Sequence, residues 1–163
     1  MGDYQSALES VDRDFGYFTS LRVAMFGRVE EAIAMLKEKE ATVSERIGQV
    51  FMSSLRALLE GNREVSLKAS DELIIGGFQD PEGQYYLARQ LAYLGDSGRA
   101  THVLKSTVDG GYFCYPQMAS DPWLDPIRGD AGFKGILDKA RVLHQEAIEV
   151  FRAEGGPPLL GQA

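Results

Sequence analysis

The side chains that could do chemistry are few in this chain and are spread along it. It has one cysteine, Cys114, and two histidines, His102 and His144. The segment from His144 to Glu146 is the nearest approach to a ligand group, but neighbouring helical positions point in different directions and cannot converge on one ion. We therefore expect no metal site, and we interpret Cys114 as a small packed side chain rather than a reactive thiol.

Catalytic and phosphate-binding motifs are absent from the sequence. It contains no G-x-S-x-G, G-x-G-x-x-G, P-loop, S-x-x-K or H-E-x-x-H pattern. The acidic pairs Glu30-Glu31 and Asp71-Glu72 are interpreted as solvated helix charges, because an acid/base pair needs burial to separate its two pKa values. The sequence thus predicts a protein that is not an enzyme and needs no cofactor.

Composition and charge restrict the class of protein and of partner. The 163 residues are 44% hydrophobic and 25% charged, which excludes fully disordered and fibrous classes, and the length favours a single domain. The net charge is −7, without a cluster of basic residues, so neither nucleic acid nor a membrane surface is an expected partner. No apolar run approaches the ~20 residues of a membrane span. A single cysteine fits a reducing compartment, and we expect a cytoplasmic protein.

The elements that carry these residues repeat with a period of 34. Similar apolar segments end at three glycines, Gly27, Gly61 and Gly95. Small residues stand seven positions before and five after each glycine: Ser20, Ser54 and Ala88, and Ala32, Ser66 and Ala100. A left-handed glycine can open a turn between two helices, and small residues let the paired helices approach closely. The pattern predicts a helical hairpin that occurs three times and buries its apolar face by stacking.

Helix signals extend this pattern along the chain. We predict helices near 3–26, 28–40, 43–60, 63–76, 81–94, 97–110 and 130–154. The proline-rich segment 112–129 is too apolar for a solvated linker and is expected to fold back, with Ser120 or Asp121 capping a short turn that buries Trp123, Leu124 and Ile127. The last helix keeps one apolar stripe as far as Phe151 and is expected to cap the array, because terminal units expose their last face.

The repeat resembles the tetratricopeptide repeat family. The run from Gly27 to Leu36 matches the turn and second helix of that family, and the third unit matches its core pattern at Leu87, Ala88, Leu91, Gly95, Ala100 and Leu104. The resemblance implies an all-α, right-handed superhelix of helix-turn-helix repeats with a C-terminal capping helix. Its parts are an extension at 1–12, repeats at 13–46, 47–80 and 81–114, the fold-back segment 115–129, the capping helix 130–154 and a flexible tail at 155–163.

A second resemblance covers Pro81 to Glu154. The run Asp-Pro-Trp-Leu-Asp-Pro-Ile-Arg-Gly-Asp, followed by Phe133 and Leu137, is similar to the end of repeat regions in bacterial signalling proteins. Those proteins carry a Ser/Thr kinase, a winged-helix regulator or a cyclase ahead of the repeats. The resemblance implies a regulatory module that is cut from, or related to, a longer chain.

The family binds extended or helical peptides on the concave surface formed by its first helices. Adjacent helical residues diverge by about 100°, so one member of each repeated aromatic pair is expected to face that groove. The groove candidates carried over from the family geometry are Tyr17, Leu21, Met25, Phe51, Leu55, Tyr85, Arg89 and Tyr93. An aromatic, aliphatic and singly basic surface favours an apolar peptide or helix as the partner.

Three alternatives to this interpretation stay open. The aromatic residues can simply pack between helices. The groove can enclose an apolar small molecule, which would make the chain a ligand sensor. The chain can also associate with itself as a homodimer, with the concave face of one copy binding the last helix or the 155–163 tail of another.

Overall fold

The computed structural model describes residues 16–156, and the regular structure in that range is entirely helical. The chain divides into two compact units, one ending at Phe78 and one beginning at Gln79. The length of the chain alone favoured a single domain. Unit 1 contains α1 (Tyr17–Met25), α2 (Val29–Thr42), α3 (Arg46–Leu59) and α4 (Arg63–Ile75). Unit 2 contains α5 (Pro81–Tyr93), α6 (Ser97–Asp109), α7 (Tyr115–Ser120), a 3-10 helix (Pro122–Ile127) and α8 (Ala131–Ala153).

The helix boundaries repeat with the predicted period. The first helices of the three pairs end at Met25, Leu59 and Tyr93, and the second helices begin at Val29, Arg63 and Ser97. Between them the turn glycines have φ values of 81°, 74° and 79° at Gly27, Gly61 and Gly95. A residue with a Cβ is disfavoured in this left-handed conformation, which explains why glycine recurs there. The prediction of three helical pairs is confirmed.

Small residues lie between the paired helices, as predicted. All six are fully buried: Ser20, Ala32, Ser54, Ser66, Ala88 and Ala100. In unit 1 the Ser66 hydroxyl donates to the Ser54 carbonyl at 2.9 Å, and the Ser70 hydroxyl donates to the Ser66 carbonyl at 3.0 Å. These bonds satisfy hydroxyl groups that would otherwise be costly to bury, so serine can replace alanine at the contact.

The first predicted helix is wrong at Gly16. Gly16 has a φ of 80° and stands immediately before α1, so a continuous helix over 3–26 cannot pass through it. A side chain at this position would also collide with Lys39, because an added Cβ would lie 2.7 Å from its Cγ. The remainder of that helix and the 1–12 extension lie outside the described residues, as does the tail from 157 onward.

The fold-back segment forms as predicted. Asp121 caps the 3-10 helix, and its Oδ1 accepts a hydrogen bond from the Trp123 backbone N–H at 2.9 Å. Trp123, Leu124 and Ile127 are all buried. Helix α8 then packs against α6 and α7.

The apolar stripe of α8 is buried only over its first half. Phe133, Ile136 and Ala140 are buried, whereas no α8 residue beyond Ala140 is. Helices α6 and α8 run parallel, because Gly132 lies against Thr101 and Lys139 lies against Asp109, the last residue of α6. Helix α8 has 23 residues and α6 has 13, so α8 extends well past the end of α6. The predicted apolar stripe of the last helix is therefore covered in its first half and more open in its second half.

Candidate functional site

The structure separates the eight predicted groove residues into two groups. Met25 and Tyr93 are exposed, at 46% and 53%. The other six are buried: Tyr17, Leu21, Phe51, Leu55, Tyr85 and Arg89. The prediction that these six line an open groove is thus wrong, and the alternative of aromatic packing between helices describes Tyr17, Phe51 and Tyr85.

Ring contacts explain the burial in unit 1. Phe51 meets Tyr17 edge-on with 5.6 Å between ring centroids, and Phe78 covers its other side at 5.2 Å. Edge-to-face aromatic pairs at such distances are favourable contacts, so the repeated aromatic residues serve the core. The end of α1 remains apolar and exposed at Met25 and the adjoining Phe26. Ile47, Val65, Ile74 and Ile75 on other helices of unit 1 are exposed as well.

In unit 2 the fold-back segment covers the predicted groove position. Tyr85 donates a hydrogen bond from its hydroxyl to Asp121 Oδ2 at 2.7 Å. Arg89 Nε lies 2.8 Å from the same oxygen, and Arg89 Nη2 donates to Asp121 Oδ1 at 3.1 Å. Tyr85, the member of its aromatic pair that was expected to face the groove, is buried, whereas its neighbour Tyr86 is half-exposed. Leu87 is buried, as predicted.

Local sequence explains how these three side chains meet. Tyr85 and Arg89 are four residues apart on α5, so they project from one face. Asp121 is positioned by its role as the cap of the 3-10 helix. The Arg128 guanidinium donates to the backbone carbonyl of Asp121 and to that of Ala119, each at 2.8 Å. Asp121 is therefore held through both its side chain and its backbone.

Electrostatic interactions hold the Tyr85, Arg89 and Asp121 side chains together. Burial, and after it the charge of Asp121, raises the pKa of Tyr85 far above its ordinary range. The hydroxyl therefore stays protonated and donates to Asp121. The Arg89 guanidinium carbon lies 4.8 Å from the centre of the Trp123 ring, a distance that permits a cation–π interaction. Both oxygens of the Asp121 carboxylate thus have partners among these two side chains.

One side chain of this assembly reaches solvent. The Tyr93 ring lies on Trp123 with 4.9 Å between centroids and a tilt of 30°. Trp123 in turn lies against Arg89, so the exposed tyrosine rests on a buried, charge-paired support. We refer to Tyr93 and Trp123 together as the aromatic platform. The sequence pattern predicted Tyr93 as a site residue but did not identify Asp121 as the partner of Arg89. The two residues are 32 positions apart, and no local pattern links them.

Between residues 16 and 156 no three His, Cys, Asp or Glu side chains are arranged to hold an ion. Cys114 is half-buried at the start of α7, and the two histidines lie on α6 and α8.

Comparisons with known protein families, with curated proteins and with solved structures each found no match. Among the helices of residues 16–156, none has the combination of length and apolar character needed to cross a bilayer.

Proposed function

We propose that this chain is a non-catalytic protein-interaction module of the tetratricopeptide kind, and that unit 2 binds an apolar peptide or helix on the aromatic platform. The main support for this proposal is the exposed Tyr93 ring, which lies on Trp123 above the buried Arg89–Asp121 pair. The repeated helical pairs of residues 17–109 support the family assignment.

The chemistry of the platform favours a protein partner. Tyrosine, tryptophan and arginine are the residues that most often dominate the binding energy of protein interfaces. A side chain that is already immobilised loses little conformational entropy on binding, so Tyr93 is a preorganised contact. An extended peptide with aromatic or aliphatic side chains would stack on the exposed Tyr93 ring, directly above the buried Trp123.

The proposal includes a regulatory role in the cytoplasm. It draws on the similarity of residues 81–154 to the repeat regions of bacterial signalling proteins. In such a role the module would recruit a partner and would not transform it.

A peptide selection tests the proposal. A displayed library is selected on the 163-residue chain, and recovered peptides are measured by fluorescence polarisation. The chain has a single tryptophan, so binding at the platform should also change Trp123 emission. We expect apolar peptides whose affinity falls about tenfold or more in Tyr93→Ala, the loss typical of an interface hot spot.

Met25→Ala is the matched control, since Met25 is similarly exposed but belongs to unit 1. The Met25→Ala variant should bind the recovered peptides with the same affinity as the unaltered chain. Peptides that bind Tyr93→Ala with unchanged affinity, or a selection that enriches none, would refute the proposal.

A further inference from the structure

A shallow groove lies between α6 and α8 in unit 2, on a surface separate from the aromatic platform. Its volume is about 350 Å³, and its floor includes Val108, Ile136 and the two glycines Gly132 and Gly135. A Cβ added at Gly135 would meet nothing within 4 Å, and one at Gly132 would meet only the Thr101 methyl at 3.1 Å. Glycine inside a helix destabilises that helix relative to alanine. Packing among residues 16–156 does not explain why residue 135 is a glycine.

The rim of the groove carries a surplus positive charge. Lys105 and Lys139 both donate to Asp109, one to each carboxylate oxygen and each at 2.6 Å. Two ammonium groups thus share one carboxylate. The hydrogen bond from Lys105, and then that from Lys139, lowers the pKa of Asp109 to about 2, so the carboxylate is charged at neutral pH. The rim can accept one further negative group.

The same face of α8 continues beyond the groove without a partner. Positions 132, 135, 139, 142, 146, 150 and 153 recur at spacings of three and four, so they lie on one side of the helix. Val142 and Val150 are 52% and 62% exposed. Glu146 lies between them, and no side chain within residues 16–156 forms an ion pair or hydrogen bond with its carboxylate. This half of the face offers two apolar side chains and one negative charge.

The two halves of this face are complementary to each other. We propose that α8 pairs antiparallel with α8 of a second copy of this chain, about a two-fold axis that crosses the helix between residues 142 and 143. In that register Lys139 lies opposite Glu146 of the second copy. Gly135 lies opposite Val150, and Gly132 lies opposite Ala153. All three pairs have the same midpoint along the helix, which lies between residues 142 and 143.

Three properties of the face select a second copy as the occupant. A two-fold interface requires that if residue i contacts residue j, then j also contacts i, and the common midpoint of the three pairs meets that requirement. The positive rim of each copy receives Glu146 of the other copy, so this ion pair forms twice, once on each side of the axis. The open glycines let the partner backbone approach closely where Val150 and Ala153 arrive. The proposal does not depend on the peptide-binding function.

Sedimentation equilibrium of the 163-residue chain over a range of concentrations tests the dimer. We expect a monomer–dimer equilibrium that weakens as salt is added, because the Lys139–Glu146 pairs are exposed at the edge of the interface. Glu146→Lys places like charges opposite each other and should raise the dimer dissociation constant about tenfold or more. The double variant Lys139→Glu/Glu146→Lys exchanges the two signs and should restore the affinity.

Gly135→Gln separates dimer formation from folding. The monomer has room for the side chain, and a better helix former raises or preserves the melting temperature, but the side chain fills the space for Val150 of the second copy. Gly98→Gln is the matched control, because Gly98 lies in α6, is exposed and has open space at its Cβ. It should leave the dimer unchanged.

Three results would overturn the proposal. The first is a chain that sediments as a monomer at every concentration. The second is a dimer that survives both Gly135→Gln and Glu146→Lys. The third is a double charge variant that stays monomeric while its melting temperature equals that of the unaltered chain, which would rule out the proposed register.

Discussion

Tyr85 and Asp121 are 36 residues apart in the chain and are joined by a 2.7 Å hydrogen bond inside unit 2. The bond fastens the fold-back segment to the face of α5 that was predicted to bind a peptide. Arg89 neutralises the same carboxylate. The proposed binding surface therefore lies at the exposed Tyr93 and not at the buried Tyr85.

Removal of the buried carboxylate should be strongly destabilising. Asp121→Ala leaves the Arg89 charge in the interior without its counter-ion, and such a loss costs about 3–5 kcal/mol. Urea unfolding monitored by Trp123 emission measures the change. Asp125→Ala, in the same 3-10 helix but with an exposed carboxylate paired to Arg128, should shift the free energy of unfolding by no more than about 1 kcal/mol. Equal losses in the two variants would refute the anchoring role of Asp121.

Tyr85 should make the folded chain sensitive to alkali. Its pKa is higher in the folded chain than in the unfolded one, first because of burial and then because of the Asp121 charge. Its contribution to stability is therefore complete below about pH 10 and is lost as the pH rises beyond that value. Tyrosinate absorbance gives the measurement. Tyr85→Phe should leave the titration of the folded chain unchanged, and a loss of one titrating group near pH 10 in that variant would contradict the burial.

Asp109 should make the contact between α6 and α8 sensitive to acid. Hydrogen bonds from Lys105 and Lys139 lower its pKa from 3.8 to about 2. A lowered pKa stabilises the folded chain above the ordinary value, and that stabilisation is lost as the pH falls through about 2. Carboxyl chemical shifts in an NMR titration measure the pKa directly. Lys139→Met should raise it, and an unchanged value would show that the Lys139 bond does not form in solution.

Enlarging a small residue between paired helices should weaken the fold. Ala88 and Ala100 are both fully buried, and a leucine at either position is expected to cost ~1–3 kcal/mol through overpacking. Thermal and urea denaturation measure the loss. Ala34→Leu, at an exposed position of α2, is the control and should stay within about 0.5 kcal/mol of the unaltered chain. Unaltered midpoints for Ala88→Leu would refute the 34-residue register.

Local patterns in the sequence predicted most of the helical architecture. Gly95, for example, marks its turn because only glycine adopts a left-handed φ at no steric cost, and Asp121 marks a helix start because its side chain can accept from the next turn. These signals depend on a few adjacent residues and can be recognised without the fold. Helix α1 was misjudged because the left-handed conformation of Gly16 interrupts an otherwise continuous helical pattern.

The candidate site was predicted only in part, since periodicity identifies the face of a helix but not what covers that face. Tyr85, Arg89 and Tyr93 were all selected from α5, yet the fold-back segment buries the first two and leaves the third exposed. Phe51 is buried for a similar reason, by contact with Tyr17 and Phe78. No local pattern encodes such long-range coverage.

The sequence by itself determined the helical pairs, their 34-residue period and a short turn capped at Ser120 or Asp121, because each of these follows from backbone geometry and neighbouring side chains. Tertiary structure decided which faces stay open. It buried the Arg89 charge against Asp121, set Tyr93 on Trp123, and left the second half of α8 beyond the end of α6. These outcomes depend on contacts between residues distant in the chain, whose energies arise only when the helices have packed.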